Sequence, residues 1–213
     1  SILLGEAKYQ SASFTNKNFQ KRHNKQKGQK MKPQFGVIAS IMEPSALHLA
    51  RALSEARHAQ ACEIRLDSFS SYRIELILAG LPSIIAMPTI LTLRSNEQGG
   101  REYISLEAQL NFWRTVPQNL RQLIEQETSK VFVDWDLGLV RYCLNKDTPF
   151  PWSKIGCSWH DFQETPGNLP AILNDLEKTG AGAFLKLVPM ATRENDLERV
   201  RALFESRRDR RPL

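Results

Sequence analysis

Lys186 stands inside an apolar run, Ala183-Phe184-Leu185-Lys186-Leu187-Val188-Pro189-Met190, set off by Gly180 and Gly182 before it and Pro189 within its end. The run reads as a short buried strand. An ammonium on a buried face is costly unless it is paired or loses its proton. A lysine so placed can serve as an amine nucleophile that condenses with a carbonyl, an apolar pocket favouring the free amine. It can also be a strand-end lysine whose ammonium reaches solvent. Other residues of matching chemistry sit at equivalent places. His160 is suited to general acid/base work. Arg65 and Arg94 suit a carboxylate or phosphate. Glu63 could order Arg65, or the two could be a structural ion pair. Asp134 or Asp136 could orient the imidazole of His160. Together these residue types point to imine chemistry on a carbonyl compound that bears an anionic group.

The elements that must position them alternate. Strands are expected at Phe35–Ile41, Cys62–Asp67, Ile90–Arg94, Val131–Asp136, Lys154–His160 and 183–190. Between them the pattern calls for a helix from Pro44 and Ser45 to about Gln60, and a short one from Tyr72 to Leu81 capped by Ser70 or Ser71. A long helical region from Ser105 to Gln126 is expected to bend at Pro117. A weak helix follows at Leu139–Asn145, then one at Leu169–Lys178 and a last one capped by Thr192 with Glu194 and Asp196 in its first turn. Six β-then-α units of roughly 30 residues each indicate a parallel sheet with helical crossovers. In each strand the polar residues fall at the carboxyl end: Ser40, Glu63 with Arg65, Arg94, Asp134 with Asp136, His160, Lys186. Period-two alternation puts them on one face and the apolar residues on the other. An open doubly wound sheet gathers polar groups at one switch point. Six contributing strands favour the TIM-barrel (β/α)8 class, in which inward residues at the strand ends line the active-site mouth.

Charge excludes one class of partner. The net charge is +6, yet residues 1–32 hold eight Lys/Arg against Glu6, and residues 207–213 hold four Arg against Asp209. Residues 33–206 are left with 17 basic and 21 acidic side chains, a net of −4. The basicity belongs to the two ends, so nucleic-acid binding is not expected of the folded part. Residues 1–32 read as a basic polar leader without apolar periodicity and 207–213 as an Arg-rich tail. The sequence has no run apolar enough to span a bilayer, so no membrane partner is expected. Three cysteines without CxxC spacing suit a reducing cytoplasm.

Four stretches carry a resemblance. Cys62-Glu63-Ile64-Arg65-Leu66-Asp67 resembles the E-x-R-x-D strand of type I 3-dehydroquinate dehydratases. Thr92-Leu93-Arg94-Ser95-Asn96-Glu97-Gln98-Gly99-Gly100 is similar to their T-x-R-(x)n-G-G loop. Ser158-Trp159-His160-Asp161-Phe162-Gln163-Glu164-Thr165-Pro166 resembles their S-x-H-D-F-x-x-T-P, and Phe184–Ala191 their Schiff-base lysine strand. The match spans about residues 33–206. It implies a lyase that removes water from 3-dehydroquinate, giving 3-dehydroshikimate in aromatic amino-acid biosynthesis. Lys186 would form the Schiff base and His160 would move the protons. Ser40, Glu63, Ile64 and Arg65 would bind substrate, and Arg94 would hold its carboxylate. No metal or diffusible cofactor is implied; a cytoplasmic setting is, and a homodimer is compatible. In the family a glutamate before the paired glycines supports the histidine; here Gln98 holds that place and Glu97 precedes it. The family's last two strands, with a second substrate arginine and a lid loop, have no counterpart, so a C-terminally incomplete barrel of six units is expected. Alternatives are a non-catalytic partial barrel, a segment of a bifunctional dehydroquinase/shikimate dehydrogenase, and another Schiff-base lyase or aldolase.

Overall fold

The computed structural model describes residues 36–43, 45–69 and 74–206. The leader, Phe35, Pro44, the Ser70/Ser71 cap and the Arg-rich tail lie outside the described residues. Six strands alternate with helices: β1 Ile38–Ile41, α1 Ala46–Glu55, β2 Ala61–Arg65, α2 Ile74–Ile84, β3 Thr89–Thr92, α3 Leu106–Arg114, α4 Gln118–Glu125, β4 Val131–Asp136, α5 Leu137–Cys143, β5 Ile155–Asp161, α6 Leu169–Glu177, β6 Leu185–Pro189 and α7 Asp196–Ser206. All pairings are parallel and the order is β1-β2-β3-β4-β5-β6. The strands run in sequence order, each neighbour reached by a helical crossover, as in the barrel class.

One contact shows that the sheet is curled. Lys186 in β6 lies 3.0 Å from Glu63 in β2, four strands away. Strands are spaced about 4.8 Å apart, so on a flat sheet these residues would be roughly 19 Å apart. Their side chains meet only because the sheet bends toward a barrel. Among the described residues it does not close, and β1 and β6 are its edges.

The two faces divide as alternation requires. Cys62, Ile64, Leu66, Leu91, Leu93, Val131, Val133, Trp135, Leu185 and Leu187 are buried in one apolar cluster with the helices. The inward face carries Glu63, Thr92, Asp134, Ser158 and Lys186. Gly156 on that face makes room for a large neighbour: an added Cβ would lie 2.2 Å from the ring of Phe184, which is itself buried.

Several elements differ from the sequence expectation for local reasons. β2 ends at Arg65 because Leu66–Ser68 turn into a short 3-10 helix, closed by Ser68 Oγ donating to the Arg65 carbonyl. α2 runs on through Pro82 to Ile84; in the last turn a proline forfeits one bond, and Ile85 still donates to Leu81. Pro117 does not bend one helix but separates two, serving as N-cap of α4. The weak helical signal after β4 is a real helix started by Asp136, whose carboxylate accepts from the Leu139 amide at 3.0 Å. Thr192 is not the cap of α7. Its amide, with that of Arg193, donates back to the Asp196 carboxylate at 2.9 and 2.8 Å, so the acid at the helix start holds the incoming chain, and Glu194 precedes the helix.

Candidate active site

Register brings the polar residues level. Ser40 pairs with Glu63, Thr92 with Asp134, and Ser158 with Lys186, while His160 lies one inward step beyond Ser158. Because successive inward residues are two apart, these side chains fall at the carboxyl ends of their strands and on the concave side.

Lys186 is the centre of the arrangement. Its Nζ donates to Glu63 Oε1 at 3.0 Å and to Asp134 Oδ2 at 3.4 Å, with a quarter of its side chain exposed. The nitrogen therefore sits between two carboxylates, not in the apolar pocket the strand suggested, and it does not reach free into solvent. Glu63 is held from three sides: Thr92 Oγ1 donates to Oε1 at 2.8 Å, Ser40 Oγ to Oε2 at 3.1 Å, and Lys186 completes the set. Burial alone would raise the Glu63 carboxyl. The Lys186 and Arg94 charges and the hydrogen bonds outweigh it and bring the group well below the usual carboxylate range.

Asp134 is fully buried and shared. Its Oδ2 accepts from Arg94 Nη2 in a short contact as well as from Lys186; its Oδ1 is buried without a partner. Arg94 is 2% exposed, and its Nη1 donates to Ser158 Oγ at 2.7 Å. Its guanidinium is thus turned to Asp134 and Ser158 instead of the mouth. Arg65 is bound through Nε and Nη2 to both oxygens of Asp67, each at 2.9 Å, and Nη2 also donates to the Gly99 carbonyl at 2.9 Å. Glu63 therefore does not order Arg65, and the two form no ion pair; Asp67 takes that place. Nor does Asp134 reach His160. Asp136 is turned away as the cap of α5, and the Ile64 side chain is buried among the helices on the opposite face of β2.

His160 has no hydrogen bond at Nδ1, which is buried. Burial and the nearby charges of Arg94, Lys186 and Arg65 hold the imidazole far below its ordinary range, so it is neutral at physiological pH. Glu97 is exposed, and Gln98 has a buried Oε1 without a partner. The loop carrying them is tight. A Cβ on Gly100 would lie 1.9 Å from the Arg94 carbonyl oxygen, which cannot move aside. Gly100→Ala should therefore destabilise the fold by about 2 kcal/mol or more. Gly167→Ala, where an added Cβ meets nothing within 4 Å, should be nearly silent. Denaturant midpoints check both, and equal midpoints would sink the claim.

Sequence reasoning named Glu63, Asp134, Arg94, Ser40 and Lys186, and the structure brings them into one hydrogen-bonded network. It missed Thr92, Ser158 and Asp67 as the groups that hold Glu63, Arg94 and Arg65. The signal was present: Thr92 is two residues before Arg94 and Ser158 two before His160, the inward parity. A cavity of about 400 Å³ lies between the Ser95–Gln98 loop, α3, α5 and Trp159, and none of the network's residues lines it. Among the described residues no group of three or more His, Cys, Asp or Glu is arranged to hold a metal.

Comparison with known proteins bears on the family and the fold. Residues 37–213 match the family model of type I 3-dehydroquinase. A curated 3-dehydroquinate dehydratase from Streptococcus pneumoniae (strain P1031) is 28% identical over 167 residues, covering 76% of this chain and 68% of its own. A crystal structure of type I 3-dehydroquinate dehydratase from Clostridium difficile with covalently modified comenic acid superposes with a TM-score of 0.60 at 19% identity, over 79% of this chain and 68% of that one. The enzyme from Enterococcus faecalis gives 0.59 at 17% identity, over 79% and 71%. At these identities the solved structures speak for the fold, and the family model for descent. The chain belongs to the type I 3-dehydroquinase family.

Proposed function

We propose that this site dehydrates 3-dehydroquinate through an imine on Lys186. The observation that carries the reading is the placement of Lys186 Nζ between Glu63 and Asp134 on the concave face, one strand from a neutral His160. The amine passes a proton to the imidazole of His160 and attacks the ketone carbon, and the imidazole returns that proton to the hydroxyl of the adduct. The resulting carbinolamine loses water to leave a cationic imine. That cation is an electron sink for the C–H bond next to it. His160 takes the C2 proton as a neutral base, the electron pair moves into the imine, and the same imidazole returns the proton to the departing hydroxyl. Water then hydrolyses the imine, freeing 3-dehydroshikimate and the lysine. Glu63 and Asp134 are preorganised beside the nitrogen that is cationic as the resting ammonium and again as the imine, which is where electrostatic stabilisation acts. The setting would be the shikimate route to aromatic amino acids.

Arg94 is assigned here to holding Asp134 against Lys186, because its guanidinium already binds Asp134 and Ser158. The reading is tested by mixing the chain with 3-dehydroquinate and following the ultraviolet absorbance of the conjugated enone product. No increase above the uncatalysed rate would reject it. Within the reading, His160→Ala should lower kcat by at least about 10²-fold and change KM little. A variant within a factor of about two of the parent would show that another group moves the protons.

A further inference from the structure

We infer that Phe162 is a positioning residue that sets the plane of the His160 imidazole. The inference rests on the acid/base role proposed for His160 and adds what holds that ring. A histidine that moves protons is commonly aimed by a hydrogen bond to its second nitrogen. Here Nδ1 is buried and has no partner, and the rotation of an imidazole about its last torsion is broad and soft. What the ring does have is a stacked neighbour. The Phe162 ring lies parallel to it, 9° between planes and 5.8 Å between centroids, an offset stack.

Phe162 is itself backed. Gly99 lies against the tip of its ring: an added Cβ there would be 2.6 Å from Phe162 Cζ and 3.2 Å from both Cε atoms. The same glycine has φ +81°, a left-handed conformation that a side chain would resist. Its carbonyl is held by Arg65, and Arg65 by both oxygens of Asp67. A continuous chain of contacts thus runs from Asp67 through Arg65, Gly99 and Phe162 to the imidazole. It also gives Arg65 and the first of the paired glycines a task, that of bracing the ring that sets the direction of Nε2. Small misplacements of a reacting group are costly, about 10²-fold for 1 Å, so loss of the stack should be visible in turnover.

Phe162→Leu keeps the apolar character and removes the stack; Phe162→Tyr keeps the stack. The first measurement needs no turnover: the carbon-bound ring protons of His160 in the nuclear magnetic resonance spectrum. In the parent and in Phe162→Tyr they should carry an upfield ring-current shift that Phe162→Leu loses. The second is kinetic. Phe162→Leu should lower kcat about 10- to 30-fold with KM within about threefold, while Phe162→Tyr stays within about threefold of the parent. Gly99→Ala should repeat the Phe162→Leu effect, because its Cβ displaces the ring. Borohydride trapping at Lys186 should persist in all three. Unchanged His160 proton shifts in Phe162→Leu, equal impairment of the Leu and Tyr variants, or a change confined to KM would each overturn the assignment. Absence of a Lys186 adduct in the parent would instead reject the dehydratase reading and leave the proton shifts to decide the stack.

Discussion

Lys186→Ala will yield no borohydride-stable adduct with 3-dehydroquinate, and its turnover will fall by at least about 10⁴-fold, as expected when the covalent nucleophile of an interdependent site is removed. The parent will give one adduct, on the peptide that contains Lys186. The sharp control is Lys154. It is the more deeply buried lysine, 5% exposed; its Nζ donates to the Ser129 carbonyl at 2.7 Å, and burial lowers its ammonium below the ordinary lysine range. By the criterion of a desolvated amine alone, Lys154 would be the better nucleophile. It stands just before β5, however, at the amino end of the strand that carries His160 toward its carboxyl end. Lys186 has two carboxylates at its nitrogen and the concave face in front of it. Lys154→Met should therefore keep the adduct and most of the turnover. An adduct that survives in Lys186→Ala and disappears in Lys154→Met would reverse the assignment.

That contrast also marks what could be read from the sequence. Strand β4 was legible residue for residue, since Val131-Phe132-Val133-Asp134-Trp135-Asp136 alternates cleanly and is bounded by a turn on one side and a cap on the other. The inward faces followed from parity alone, which fixes a side chain's face once the strand is placed. Partners did not follow, because alternation says which residues share a concave surface and not which of them touch. Lys186 and Glu63 are 123 residues apart in sequence, and only the curl of the sheet brings their atoms to 3.0 Å. Arg65 has Glu63 and Asp67 at equal sequence distance. It takes Asp67 because the chain turns into a 3-10 helix after Arg65 and swings that carboxylate back, while Glu63 is already filled by Ser40, Thr92 and Lys186. Helix ends failed for the same reason: Asp136 could be an inward strand residue or a cap, and the geometry of the next turn decides for the cap.

Asp134→Ala is expected to cost about 3–5 kcal/mol of folding stability, the range found when one partner of a buried ion pair is removed. The carboxylate is fully buried and its Oδ2 accepts from two cations at once. Without it Arg94, 2% exposed, keeps only the neutral Ser158 hydroxyl among these partners. A guanidinium cannot lose its charge to escape that environment. Lys186 is better placed, since its side chain is a quarter exposed and retains Glu63. The cost should therefore follow Arg94, and a second substitution can show it. Asp134→Ala with Arg94→Met, which removes the stranded charge and refills the space, should recover most of the lost stability, whereas Asp134→Ala with Lys186→Met should recover little. Glu63→Gln serves as the acid-side comparison. The Glu63 carboxyl is depressed in the fold from 4.5, so its contribution is present above that pH and is lost as pH falls through the lower folded value. The stability gap between parent and Glu63→Gln should shrink steadily below pH 4.5. Denaturant titration with an unchanged slope supplies all these values. If Asp134→Ala loses less than about 1 kcal/mol, or the lysine substitution rescues it better than the arginine one, the buried pair is not what holds this end of the sheet together.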